Sequence, residues 1–286
     1  MANAKQMRGL DFLWPSFEAY LHSLTLTPST IRNYLADVRD FARWMNRAAR
    51  RTFNPRAFHD YREHLRRSSY ARSTVNRRLH TLRLYNRFLS EQGLVARDPS
   101  AIESVAIQKG ETAPRVLAAD EVERLRAAVL QHARPSLIRR DRAIVELMLQ
   151  AGLRVNEIAQ LHPDSLAVTN QGLCLNIGTT GHLHQVPVHE TLAHVLRGYL
   201  TTRPPNREYS SLFISQQGKP LSARAIQRLV EEYARAANLK EVSANTLRHT
   251  CAQNLLDAKC DPHLVARWLG HRDGEMVKRY ERNGHD

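Results

Sequence analysis

The chain has 286 residues, 42% of them apolar, and carries 42 Lys+Arg against 28 Asp+Glu, a formal net charge of +14. That length supports a buried core without disulfide or metal staples and predicts two domains, while the charge points to a polyanionic partner, either nucleic acid or an anionic membrane surface. No apolar run approaches the ~20 residues that cross a bilayer, and MANAKQMRGLDFLWPSF lacks the apolar centre of a signal peptide, so a cytoplasmic chain with no membrane partner is expected.

The charge is uneven along the chain. Residues 1–110 hold 19 Lys+Arg against 9 Asp+Glu, and 17 of the 19 are arginines; residues 111–286 hold 23 against 19. Arginine's planar fork suits phosphate and guanine contacts, so the N-terminal part is read as the stronger polyanion binder. In this part Thr27-Pro28 is a helix start signal, and Ile31, Tyr34, Leu35, Val38, Phe41, Ala42 and Met45 then recur at helical spacing. A second helix opens near Ser73 and runs through Val75, Leu79, Leu82, Tyr85 and Leu89 to Gly93. Arg72, Arg77, Arg78, Arg83 and Arg87 fall mostly off that stripe and are candidate DNA contacts, with a solvated basic face as the alternative.

Residues 97–116 lose the periodicity and hold two prolines and a glycine, the composition of a linker. The division expected is a helical DNA-binding domain over 1–105, a linker over 106–116 and a second domain over 117–286. Helical periodicity resumes in AADEVERLRAAVLQHA and SLIRRDRAIVELMLQAG, the latter stopped by Gly152. GLCLNIGTTGHLHQVPV, from Gly172 to Val188, alternates around a glycine-bearing turn and predicts a β-hairpin; SLFIS, Ser211 to Ser215, suggests a further strand. Helices follow to the end. The three cysteines, Cys174, Cys251 and Cys260, are an odd, scattered set, which argues against disulfides. Cys260 and His263 have C-x-x-H spacing with no second ligand pair at finger-like spacing, so no metal is expected.

Four residues stand out for chemistry. Arg154 lies just past Gly152 in AGLRVNEIAQL with Glu157 one turn on; Arg248 lies near the start of the helix TLRHTCAQNLLDAKC; His271 follows the helix-ending Gly270 of HLVARWLGH; and Tyr280 follows nine residues later. Two arginines, a histidine and a tyrosine suit attack by a tyrosine hydroxyl on a phosphodiester, with the guanidinium groups neutralising charge that a metal neutralises elsewhere.

AGLRVNEIAQL and LRHTCAQNLLDAKCDPHLVARWLGHRDGEMVKRY resemble the two arginine motifs of the tyrosine recombinases, the phage-integrase family, and in particular its Xer-like members. The resemblance covers most of residues 117–280; the region before it is similar to the family's core-binding domain in size and pattern. It implies a mainly α fold, with a helical core-binding domain and an α-rich catalytic domain carrying a small antiparallel sheet, closing on DNA as a C-shaped clamp. By position, Arg154 and Arg248 would clamp the scissile phosphate, His271 would hydrogen-bond it, and Tyr280 would attack it to form a 3′-phosphotyrosyl link. It also implies no cofactor and no ATP, double-stranded DNA with a specific site as partner, and a homotetramer on two sites exchanging strands through a Holliday junction. A second recombinase or accessory protein is a further partner that the resemblance allows.

Three departures qualify these expectations. The family's histidine three residues before the second arginine is Asn245 here, which can hold a phosphate oxygen but cannot act as a base near neutrality. Alignment on Val186-Pro187 places Thr179 where the family's hairpin lysine protonates the leaving oxygen; His182, His184 and Lys219 are the candidate replacements, with Thr179 and Lys219 also read as DNA contacts. Only ERNGHD follows Tyr280, too short for a docking helix, so subunit contacts are expected to be smaller or to come from elsewhere, such as the N-terminal helices. The alternatives kept beside a recombinase are a DNA-binding relative with impaired or lost catalysis, a type IB topoisomerase-like enzyme, and, more remotely, a helix-turn-helix regulator.

Overall fold

The computed structural model describes residues 14–47, 55–95, 114–169, 172–178, 184–204 and 210–270. The chain divides into two compact units, residues 1–111 and 112–286. It is mainly helical, with one small antiparallel sheet. No helix among the described residues is long and apolar enough to cross a membrane.

In the first unit, helices α1 (Trp14–Ser23), α2 (Pro28–Arg47), α3 (Pro55–Arg67) and α4 (Arg72–Glu91) bury one apolar cluster. Thr27 caps α2: its Oγ1 accepts from the Thr30 amide at 3.3 Å, and Pro28 takes the first helical position, where a missing N–H costs nothing. The apolar stripes of α2 and α4 face each other, and edge-on aromatic pairs, Phe17 with Tyr85 and Phe41 with Tyr61, each at 4.9 Å, tie α1 and α3 to them.

The α2–α4 seam is also polar. Asp37 is 3% exposed, yet it accepts from Arg77 and from Thr81 Oγ1 (3.0 Å), and the Arg78 Nε lies 3.8 Å away. Burial raises the Asp37 carboxyl above its ordinary range, with Arg77 and Thr81 opposing. Arg78 also binds Asp40 and stacks on the Tyr70 ring at 4.1 Å. Two of the five arginines expected at DNA therefore have carboxylate partners inside the unit. Arg72 and Arg87 are exposed and Arg83 is half-buried.

The second unit is built on α6 (Ile138–Gln150), which is buried continuously from Ala143 to Leu149 and packs against α5 (Ala119–His132), α8 (Glu190–Leu200), α9 (Ala223–Ala236) and α10 (Ala244–Asp257). The short α7 (Val155–Ala159) packs on α9, and α11 (Pro262–Trp268) packs on α10. The predicted hairpin is present as β2 (Gly172–Ile177) and β3 (His184–Pro187). A third strand, β1 (Leu166–Thr169), pairs with β2 to give the order β1-β2-β3. Its four residues leave Val168 86% exposed, so no alternation announces it. SLFIS does not form a strand of the sheet; it contributes a single bridge, Ile214 to Pro220. Leu212, Phe213 and Ile214 are all buried, so the segment runs through the core with no outer face, and its Leu212 N–H bonds the Leu161 carbonyl at 2.6 Å.

Entry into this unit is pinned to α10: the Leu117 N–H donates to Thr250 Oγ1 at 2.9 Å, with both residues buried. The far end of α6 is set by Gly152 at φ +64°, where a Cβ would overlap Leu269 Cδ2 and sit 3.3 Å from Cys251 Sγ. Gly152→Ala is expected to cost about 2–4 kcal/mol, combining left-handed strain with overpacking. The check is a lower urea midpoint at unchanged slope; unfolding at the wild-type midpoint would contradict this packing.

Candidate active site

Arg154 and Arg248 come from different elements and converge on one corner. Arg154 is the N-cap residue of α7, placed there because Gly152 turns the chain at the end of α6. Glu157 supplies the acidic half of a capping box: its Oε2 accepts the Arg154 backbone N–H at 2.7 Å, while its Oε1 accepts Arg154 Nη1 at 2.7 Å. The carboxylate thus fixes both the start of the helix and the direction of the guanidinium. Arg154 Nη2 donates to the Gly270 carbonyl at 3.2 Å, and its side chain keeps 39% exposure, open to a ligand.

Arg248 sits one turn into α10 and is 6% exposed. Its Nη1 donates to the Gly152 carbonyl, its Nη2 donates to the Leu269 carbonyl, and Glu157 Oε2 lies 3.9 Å from Nη1. A buried cation needs such acceptors, because an unpaired charge removed from water is strongly destabilising. Glu157 therefore faces both arginines. Beneath them, burial pushes the Cys251 thiol up to about 12 against the opposing pull of Arg248, so at neutral pH it is packing and not a nucleophile.

The hairpin reaches the same corner. His184 pairs across the sheet with buried Ile177 and lies on the same side of β3 as buried Val186, whereas Gln185 turns to the other face and bonds Asn176 at 3.0 Å. The imidazole lies against Gly270, whose positive φ of +63° ends α11. Asn245 is exposed at the second position of α10, just after the Ser243 cap. Lys219 is exposed in the turn that closes with the Ser215 N–H on its carbonyl at 2.7 Å, and Arg134 ties that turn to the end of α5 through Gln216 at 2.8 Å. His271, Tyr280, Thr179 and His182 lie outside the described residues. Among the described residues, no group of three or more His, Cys, Asp or Glu is placed to hold a metal.

The sequence alone assigns no role to Glu157 or to the Gly152, Leu269 and Gly270 carbonyls. The Arg-x-x-Glu spacing after a helix-stopping glycine was the available signal for Glu157. For backbone carbonyls a sequence carries none.

Comparison with known proteins adds to this geometry. Residues 115–285 match the model of the phage integrase family, and residues 16–93 match that of the phage integrase N-terminal SAM-like domain. The tyrosine recombinase XerC of Alcanivorax borkumensis is 31% identical over 252 residues, covering 87% of this chain and 81% of the relative. The tyrosine recombinase XerA of Thermococcus kodakarensis is 30% identical, covering 92% and 88%. Among solved structures, the XerH recombinase in a post-cleavage complex with palindromic difH substrate shares the fold with a TM-score of 0.73 at 19% identity, covering 89% of this chain and 76% of that one. A lambda integrase tetramer bound to a Holliday junction does so with a TM-score of 0.72 at 16% identity, covering 96% and 78%. With the family model spanning more than half its length, the chain belongs to the phage integrase family, the family of the tyrosine recombinases.

Proposed function

We propose that this protein is a site-specific DNA recombinase that cleaves and rejoins strands through a 3′-phosphotyrosyl intermediate on Tyr280. The observation that carries the reading is the convergence of Arg154 and Arg248, through Glu157, on the corner at Leu269 and Gly270 that leads directly into His271. Two fixed guanidinium groups beside a partly open surface are a site for a phosphodiester, whose non-bridging oxygens gain charge as the fifth bond to phosphorus forms. In this reading His271 adds a hydrogen bond, and the exposed amide of Asn245 holds a phosphate oxygen without acting as a base. The phosphotyrosyl link conserves the bond energy, so religation needs no ATP.

The substrate is double-stranded DNA carrying a specific site. Four protomers on two sites, with exchange through a Holliday junction, are proposed by analogy with the lambda integrase tetramer. A catalytic unit over 117–286 and a core-binding unit over 1–105 share the DNA in this scheme. Arg72 and Arg87 are the stronger candidates for phosphate contacts, since Arg77 and Arg78 already bind Asp37 and Asp40. Exposed Arg32, Arg43 and Arg47 on α2 form no ion pair with the described residues and join them as candidates.

The replacement of the hairpin lysine by Thr179 and of a histidine by Asn245 favours a second reading, a DNA-binding relative with weakened or lost catalysis. Covalent trapping separates the two. On candidate sites nicked just 3′ of the cleavage position, the wild type is expected to leave a denaturant-stable protein–DNA adduct that Tyr280→Phe does not form. Arg248→Lys is expected to slow adduct formation by about 100-fold while DNA binding persists. Specific binding with no adduct would establish the binding-only relative. Affinity is expected to fall steeply with salt, and Arg72→Ala and Arg87→Ala each to reduce the log–log salt slope by about 1. Arg77→Ala is expected to lower thermal stability instead, as Asp37 loses a partner, and a salt-slope change with no stability loss would reverse that assignment.

A further inference from the structure

We propose that His184 is the proton donor of this site, giving the Nε2 proton of its imidazolium to the 5′-oxygen that leaves as Tyr280 attacks. The inference rests on the strand-cleavage reading above and supplies the acid that the Thr179 substitution removes. A 5′-alkoxide is strongly basic and leaves slowly unless it is protonated, so some group in the site must deliver a proton near neutral pH. Balanced, the Tyr280 Oη–P bond forms as the P–O5′ bond breaks, the tyrosine proton passes to water, and the His184 proton completes the 5′-hydroxyl. In religation, neutral His184 takes the proton back as that hydroxyl attacks, the Tyr280 Oη–P bond breaks, and the tyrosine oxygen regains its proton from water.

The geometry favours this residue over the other candidates. A Cβ built on Gly270 would lie 3.2 Å from His184 Cε1, 3.3 Å from its Nε2 and 3.5 Å from Arg154 Nη1. The imidazole and the guanidinium therefore border one small space, at the residue immediately before His271. Strand alternation holds His184 there: its neighbours on the same side, Ile177 across the sheet and Val186 along it, are buried anchors. Its ring makes no hydrogen bond with the described residues, leaving Nε2 available to a substrate oxygen.

Among the described residues, the ionisable groups gathered at this corner besides His184 are Arg154 at the start of α7, Glu157 on α7, and Arg248 and buried Cys251 on α10. The guanidinium groups serve as hydrogen-bond donors, and the Glu157 carboxylate is an acceptor already bound to Arg154. The imidazole that borders them differs in kind, since its ring nitrogens can both donate and accept a proton. Lys219 belongs to a turn fastened to α5, and no contact among the described residues joins it to the corner.

The test uses the full chain on two versions of a nicked suicide site, one with the ordinary scissile phosphodiester and one with sulfur in place of the bridging 5′-oxygen. A thiolate leaves without prior protonation. His184→Gln is expected to form the Tyr280 adduct about 100-fold or more slowly than wild type on the oxygen ester, and within a few-fold of wild type on the sulfur ester, with DNA affinity kept. Arg248→Ala is expected to stay slow on both. Equal slowing of His184→Gln on both esters, or no slowing on either, would overturn the assignment, as would sulfur rescue appearing in His182→Gln or Lys219→Gln instead. A wild-type protein that forms no Tyr280-dependent adduct on either DNA would overturn the cleavage reading itself.

Discussion

The catalytic unit depends on how it holds one buried cation. Arg248 lies inside the protein, and its two terminal nitrogens donate to the carbonyls of Gly152 and Leu269. Both carbonyls come from turns that end helices, Gly152 beyond α6 and Leu269 at the cap of α11, where the last carbonyls lack intrahelical partners and carry partial negative charge. A single guanidinium therefore satisfies two helix ends and joins the end of α6 to the consecutive helices α10 and α11. The buried charge is compensated by groups that themselves need a donor, so each side of the bargain removes the other's desolvation penalty.

Other features follow from that joint. Gly152 must be glycine because the turn is left-handed and Leu269 and Cys251 press on the place a side chain would fill. Gly270 repeats the left-handed stop and exposes its carbonyl to Arg154. Glu157 links the exposed arginine to the buried one, so the two cations form a rigid pair without a mobile counter-ion. The Leu117 amide bonded to Thr250, two residues after Arg248, ties the start of the unit to the helix that carries this arginine. The first unit uses a related device in miniature: buried Asp37 draws Arg77 and Arg78 into the α2–α4 seam and takes them out of the pool of free basic groups.

Much of this was legible from local pattern. The stripe from Ile31 to Met45 is buried apart from half-buried Tyr34, and Thr27-Pro28 marks the start of α2 because capping is a contact within four residues. The β2–β3 hairpin was readable from alternation around Gly178 and Gly181. β1 was not, because four residues with one nearly bare valine carry no period, and SLFIS misled because a run buried on every side resembles a central strand. At the site, Arg154 and Arg248 stood out through motif spacing. Their partners did not: a carbonyl donated by Gly152 or Leu269 depends on backbone direction in three dimensions, and the sequestering of Arg77 by Asp37 depends on a helix contact forty residues distant.

The claim at the centre of this account is that Arg154 and Glu157 act as one unit in presenting cations to a scissile phosphate. A double-mutant cycle tests it most directly, using the rate of covalent adduct formation at saturating DNA for Arg154→Ala, Glu157→Ala and the pair. If Glu157 works by orienting Arg154, the double variant will be little slower than the slower single variant. Losses that multiply would show two independent contributions and contradict the linked arrangement.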